Sequence, residues 1–202
     1  VQLLSSATSV STKPAVFNTG DSSLPAQDFV FVGAGDGTNA YLYKVRASDG
    51  VLADTSISLG TDTKSSPAVG AGSVYIGVTG GADGVLRLNP VDLEILTNLA
   101  AGKTASGAPF ISATTDIGRP YPVAYVSTDD GTIYAANATT GALETTFGSG
   151  GSVALSITPA TGLTPLSSNL FVYGNVLYVG ANDNKVYAVN STTGAVSTFF
   201  DA

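Results

Sequence analysis

The sequence contains no cysteine, histidine, methionine or tryptophan in 202 residues. Without cysteine there is no disulfide framework, thiolate nucleophile, iron–sulfur cluster or cysteine-held zinc. Without histidine there is no imidazole base, haem ligand or histidine-containing metal site. Together these absences close most routes to catalysis at neutral pH. Glutamate is nearly missing as well: Glu94 and Glu144 are the two in the chain. Both fall on or near expected outer strands, which does not assemble the facing carboxylates that glycoside hydrolysis needs. Charged residues make up 11% of the chain, against about 25% in an average soluble domain. Eight basic and fifteen acidic residues leave a net charge of −7. With no cluster of Lys or Arg, the attraction that underlies binding to nucleic acid or an anionic membrane is lacking. No apolar run approaches the roughly 18 residues of a membrane-spanning helix. Low lysine content, many hydroxyl residues and a start at Val1 without a charged-then-apolar leader lead to the expectation of an exported, mature protein, extracellular, at the cell surface or periplasmic.

What the chain does have is repetition. VLYVGANDNKVYAVNSTTGAV (Val176 to Val196) aligns nearly position for position with VAYVSTDDGTIYAANATTGAL (Val123 to Leu143). Looser copies are VYIGVTGGADGVLRLNPVDLEI (Val74 to Ile95) and VFVGAGDGTNAYLYKVRASDGVL (Val30 to Leu52). The spacing of roughly 44 to 53 residues is that of a four-stranded propeller blade. Within a copy, Val176, Tyr178 and Gly180 alternate as in a strand. An Asp/Asn/Gly turn follows, made by residues that tolerate positive φ, and then a second strand with Val186, Ala188 and Asn190 on one side and Tyr187 and Val189 on the other. Asp49-Gly50, Thr140-Gly141 and Thr193-Gly194 supply the next turn, before a short outer strand carrying Phe147 or Phe199. Upstream, a proline marks a further strand: Pro14-Ala15-Val16, Pro67-Ala68-Val69, Pro109-Phe110-Ile111 and Pro165-Leu166.

The expected fold is therefore all-β, a β-propeller of about four antiparallel four-stranded blades in one domain spanning residues 1–202. The repeats run over approximately 11–58, 59–100, 101–148 and 149–202, with 1–10 as an extra outer strand. A closed four-blade ring is permitted but tight, since known rings have four to eight blades. An outer strand duplicated at both ends favours an arc of a larger, seven- or eight-bladed ring, completed by further sequence or by a second copy of the chain.

The string LYVGANDNKVYAVNSTTG resembles the repeat of pyrroloquinoline-quinone (PQQ) propellers. That superfamily includes quinoprotein alcohol dehydrogenases and the non-enzymatic propeller lipoprotein of outer-membrane protein assembly. The matching residues are turn and packing residues, so the resemblance implies the fold more than an activity. Repeats of that family typically end in a Trp after the Thr-Gly turn; here Phe147, Phe199 and Phe200 come nearest. The family's enzymes also use a vicinal cysteine pair, a Trp platform and calcium held by Glu, Asn and Asp. The first two are impossible in this chain, and no residue matches the third.

Several residues invite a functional reading beside a structural one. Ser127-Thr128-Asp129-Asp130-Gly131 resembles the Asp-box of sialidase propellers, itself a structural turn, and Arg46, Arg87 and Arg119 fall in separate copies rather than in one carboxylate-binding cluster. Asp36, Asn39, Asp83, Asp129, Asp130, Asn182, Asp183 and Asn184 recur at the turn between the middle strands. They read first as turn residues bonded to their own backbone and second as calcium ligands, and no cofactor is assigned. Asn137-Ala138-Thr139 and Asn190-Ser191-Thr192 fit the N-glycosylation sequon within the repeat's own turn. Tyr43, Tyr75, Tyr125, Tyr134, Tyr178 and Tyr187 follow strand periodicity and are expected to pack between blades. The insertions at Lys103 to Pro122 and Gly151 to Ser168 are expected to protrude, with Arg119, Pro120 and Tyr121 as a candidate partner-binding loop.

These readings converge on a non-enzymatic extracellular or periplasmic scaffold that binds a protein partner or associates with itself. The competing expectations are blades of a larger quinoprotein-like or carbohydrate-active enzyme with catalytic residues elsewhere, or a subunit of a cell-surface layer or filament.

Overall fold

The computed structural model of the chain describes residues 10, 12–18, 28–35, 38–81, 83–114 and 118–201. Apart from Val10, the expected outer strand at 1–10 lies outside them. The described chain is a succession of four antiparallel sheets, each made of consecutive strands in chain order. The first blade holds β1 (Ala15–Asn18), β2 (Asp28–Gly35), β3 (Ala40–Arg46) and β4 (Leu52–Thr55). In the second, β5 (Asp62–Thr63) and β6 (Ala68–Gly70) share one edge of β7 (Ser73–Thr79), followed by β8 (Gly84–Leu88) and β9 (Ile95–Asn98). The third holds β10 (Phe110–Ile111), β11 (Val123–Ser127), β12 (Thr132–Asn137) and β13 (Ser152–Ala154). The fourth holds β14 (Phe171–Tyr173), β15 (Val176–Ala181), β16 (Lys185–Asn190) and β17 (Val196–Asp201). The first strands of neighbouring blades approach one another, β1 against β6 and β6 against β10. This is the arrangement of propeller blades about an axis, and no described helix is long and apolar enough to cross a membrane.

The hydroxyl residue ahead of each innermost strand explains why the copies start alike. Thr12 Oγ1 donates to the Gly33 carbonyl and accepts from the Gly33 amide, at 2.8 and 3.0 Å. Ser65 Oγ accepts from Gly77 N at 2.7 Å, Ser106 Oγ bonds Ser127 Oγ at 2.7 Å, and Ser168 Oγ donates to the Gly180 carbonyl at 2.7 Å. In the first, second and fourth blades the bond satisfies a backbone group of the second strand beyond the reach of the short innermost one, whereas in the third it joins two side chains and the Ser106 amide takes the Ser127 carbonyl. A Cβ at Gly77 would lie 2.4 Å from Ala105 Cβ of the next blade, so glycine there permits the blades to approach.

Two expected elements are displaced. The fourth innermost strand is Phe171–Tyr173 rather than Pro165-Leu166. The register-equivalent hydroxyl is Ser168, and Leu166 contributes one isolated bridge, to Ala181. Phe147 lies in a turn, buried edge-to-face against Tyr125 at 5.9 Å, because the positive-φ residues Gly148, Gly150 and Gly151 reverse the chain there. The outer strand of the third blade is consequently Ser152–Ala154, beyond the residue-148 boundary that the repeats suggested. The second blade holds a local exception. Where the other copies place Gly50, Gly141 and Gly194 at positive φ, it places Leu93 at φ 58°. The left-handed backbone costs a branched side chain about 1–2 kcal/mol. Leu93 is buried in the core between the first two blades, and full burial of a leucine returns about 1.5–3 kcal/mol.

Each blade turns one face back to its predecessor and one forward to its successor. Register assigns these faces. Rows pointing backward are Val69, Val74, Leu88 and Ile95 in the second blade, Ile111, Ala124, Ala136 and Leu143 in the third, and Val172, Leu177, Val189 and Val196 in the fourth. They are small or aliphatic. Rows pointing forward are centred on an aromatic ring: Phe31, Tyr75 and Tyr125, each fully buried. Three cores result among the described residues, one for each junction between consecutive blades.

Candidate functional site

The functional question in such a stack is what the blades do to each other and what their ends leave free. At the second junction the Tyr75 hydroxyl donates to the Ala138 carbonyl at 2.5 Å; at the third the Tyr125 hydroxyl donates to the Ser191 carbonyl at 2.8 Å. Ala138 and Ser191 hold the same place in their repeats, immediately after the third strand, and both are buried. Burial pushes the Tyr75 hydroxyl above its ordinary value, and it pushes Tyr125 up to about 12.

Tyr125 thereby ties the stability of the third junction to alkaline pH. A hydroxyl that holds its proton more tightly folded than unfolded contributes stability that is intact below about pH 10 and is lost as pH rises towards 12. The rise of Tyr125 to about 12 is worth at most about 2–3 kcal/mol. Urea unfolding measured from pH 8 to 12 should show this decline, and Tyr125→Phe should flatten it. An equally steep decline in the variant would show that other groups are responsible.

A cation accompanies each ring and clasps the turn of the next blade. Lys44 Nζ donates to the Val91 carbonyl at 2.8 Å, Arg87 donates to the Thr139 carbonyl, and Arg119 Nη2 donates to the Thr192 carbonyl at 3.1 Å. Val91, Thr139 and Thr192 are equivalent positions. Lys44 is paired across the sheet with Phe31 and Arg87 with Tyr75, whereas Ala135 is opposite Tyr125 and Arg119 reaches in from the insertion. Lys44 also lies 4.4 Å from the centre of the Phe29 ring. Burial lowers its pKa, with Asp54 and Asp92 acting in the opposite sense. Sequence reasoning missed this clasp because its third member comes from a different position in the alignment.

The candidate partner-binding loop folds back onto the protein. Arg119 turns inward: Nη1 pairs with Glu144 Oε2 at 2.5 Å, Nη2 bonds Thr146 Oγ1 at 3.0 Å, and the Tyr121 hydroxyl donates to the same Glu144 oxygen at 3.1 Å. Tyr121 packs against the core of the third junction, and Pro120 is exposed. Asn137 Oδ1 accepts from the amides of Thr139 and Thr140 at 2.9 and 3.0 Å, and Asn190 Oδ1 from those of Thr192 and Thr193 at 2.9 and 2.8 Å. Both sequons are thus the turns that the arginines clasp. Gly194 completes one of them at φ 73°, where a Cβ would lie 2.6 Å from Gly148 N.

In the Asp-box-like turn, Asp130 Oδ1 accepts from Thr128 Oγ1 at 2.7 Å and the Thr132 amide at 3.1 Å, and Oδ2 accepts from Lys103 at 2.6 Å. Burial opposes ionisation of Asp130, but the Lys103, Thr128 and Thr132 hydrogen bonds outweigh it and hold the carboxyl at about 2. Asp129 shifts the other way, by burial and by the neighbouring charge of Asp130. No three metal-ligating acids converge among the described residues, and Asp36 lies outside them.

The segments just ahead of the innermost strands line an open polar pocket of about 280 Å³ to which all four blades contribute, through Thr12, Ser65, Ser66, Ser106 and Asn169 among others. Its rim is knitted across junctions by Lys13 N donating to Ser66 Oγ and Ala108 N donating to Asn169 Oδ1, both at 2.9 Å.

The forward face of the fourth blade differs from its three counterparts. Tyr178, the equivalent of Tyr75 and Tyr125, is half-buried, and around it Phe171, Tyr173 and Phe200 are 58%, 74% and 57% exposed. Val176 and Val186 lie on the same face. The backward face of the first blade is open only at its edges, since Tyr43 and Val45 on it are buried. Its row is Val16, Val30, Val45 and Leu52, with Val16 64% and Leu52 40% exposed.

No protein-family model matches the chain, and no curated protein matches it by sequence. Solved structures match it by shape. The computationally designed Ika8 protein is 17% identical with a TM-score of 0.59, over 86% of this chain and 46% of Ika8. BamB from Moraxella catarrhalis is 12% identical with a TM-score of 0.60, over 85% of this chain and 49% of BamB. Quinohemoprotein alcohol dehydrogenase from Comamonas testosteroni is 14% identical with a TM-score of 0.63, over 97% of this chain and 35% of the enzyme. The chain spans half or less of the length of these proteins. At such identities the likeness concerns the fold alone, and that fold is the β-propeller.

Proposed function

We propose that the chain is a non-enzymatic propeller scaffold, working outside the cytoplasm, that docks protein on the open forward face of its fourth blade. The observation that carries this reading is the exposure of Phe171, Tyr173 and Phe200 on one sheet face whose equivalents in the other blades are covered. Contiguous exposed aromatic surface of this kind marks an interaction site, and rigid aromatic anchors dominate protein interfaces. The structural likeness to BamB is compatible with the scaffold reading through the fold.

A photocrosslinking phenylalanine analogue placed at Tyr173 in the native host tests this. A discrete protein adduct is expected, and an analogue at the exposed Pro120 should not reproduce the same adduct. Irradiation that yields no protein adduct from Tyr173 would sink the proposal.

A further inference from the structure

We infer that the polar pocket ahead of the innermost strands binds a small oxyanion, a carboxylate or a phosphate. This site is separate from the docking face and does not rest on that reading. Its described lining holds hydroxyls, a side-chain amide and one ammonium group, with neither an aromatic ring nor a carboxylate. Without a ring there is no stacking platform for a flat aromatic molecule. Without a carboxylate there is no ligand set for a hard cation such as calcium.

The hydrogen bonds already made in the pocket leave donors over. Ser65 Oγ accepts from the Gly77 amide, Ser66 Oγ from the Lys13 amide and Asn169 Oδ1 from the Ala108 amide, at 2.7, 2.9 and 2.9 Å. In each case an acceptor oxygen is engaged, while the serine protons and the Asn169 Nδ2 hydrogens donate to no described residue. Thr63 lines the same pocket, and its buried hydroxyl has no partner among the described residues. The bonds to Ser66 and Asn169 come from the backbone of neighbouring blades, so these donors are held in position before a ligand arrives.

Charge selects an anion among the possible acceptors. The chain carries −7 overall, yet Lys64 lies in the lining and the Lys13 amide forms part of the rim. Lys64 pairs with Asp62 at 2.9 Å, with side chains 40% and 47% exposed. Such an exposed pair holds its ammonium weakly and can exchange partners. Lys13 makes no ion pair with a described residue. Ammonium, hydroxyl and amide donors around one volume suit the oxygens of a carboxylate or phosphate, through charge-assisted hydrogen bonds. The volume of about 280 Å³ lies below that of sites for drug-sized ligands, so the anion is a small one.

The test follows backbone amide shifts of the full chain by nuclear magnetic resonance during titration with succinate, with inorganic phosphate and with neutral glycerol. Saturable shifts are expected at Ser65, Ser66, Gly107, Ala108 and Asn169 with at least one of the anions. Half-saturation is expected near about 1 mM, the scale that a few charge-assisted hydrogen bonds reach. Lys64→Gln and Ser66→Ala should each weaken binding at least about tenfold, and the remaining amide spectrum reports that each variant is folded. Lys103→Gln, at an equally exposed lysine paired with Asp130 outside the described lining, should leave binding unchanged.

Saturation by succinate alone assigns a carboxylate ligand, by phosphate alone a phosphate ligand, and by both the chemistry they share. Shifts that rise without saturation for both anions, shifts that glycerol reproduces, or binding that either pocket variant leaves intact would each overturn the inference. The docking reading is decided separately, by the Tyr173 crosslink.

Discussion

Tyr125→Ala is expected to lower stability by about 3–5 kcal/mol, the range for deleting a fully buried aromatic side chain. Tyr125 touches both sides of its junction: its ring meets Phe147 edge to face at 5.9 Å, and its hydroxyl donates to Ser191 of the fourth blade. Tyr125→Phe separates these contributions. It keeps the ring and leaves the buried Ser191 carbonyl without its donor, for an expected loss of about 1–3 kcal/mol. A typical domain has about 5–15 kcal/mol in total, so the alanine variant should shift the urea midpoint strongly. The fourth blade meets the described remainder through this junction, so limited proteolysis of that variant should release its strands first. A shift under about 1 kcal/mol for Tyr125→Ala would mean that the aromatic row fills space without holding the blades together.

Arg119→Ala should have a comparable effect, about 3–5 kcal/mol, by leaving a buried carboxylate without its partner. The Arg119 and Glu144 side chains are 12% and 9% exposed, and the guanidinium also bonds Thr146 and the Thr192 carbonyl. Exposed pairs such as Lys103 with Asp130 or Lys64 with Asp62 belong to a different class, worth about 0–1 kcal/mol. The decisive comparison is a double-mutant cycle with Arg119→Met and Glu144→Leu. The double variant should recover most of what either single change loses, because an apolar pair needs no compensation. Additive losses would show that the two side chains act separately.

The strand pattern was legible because its causes are local. Alternation along Val176 to Asn190 follows from the period of the strand, and the Asp/Asn/Gly turns follow from which residues tolerate positive φ. The same logic misplaced the strand around Pro165. Proline marks where a strand can begin, whereas here the hydrogen bond from Ser168 to Gly180 decides where it does. Tyr75, Tyr125, Tyr134 and Tyr187 pack between blades as periodicity implied; Tyr43 lies instead on the backward face of the first blade, against Tyr41. Arg119 read as the tip of a binding loop because an insertion with Arg, Pro and Tyr has that composition. Its role at the third junction depends on Glu144, 25 residues away, and on Thr192, 73 residues away.

By itself, the sequence determined the all-β class, the four repeats, the turn positions and the removal of thiol and imidazole chemistry, since each follows from residue identity and short-range spacing. The tertiary structure decided which face of each blade meets a neighbour, how cations from unmatched positions clasp equivalent turns, and which aromatic face stays uncovered. These outcomes depend on which blades lie next to each other, and that adjacency arises only when distant segments pack.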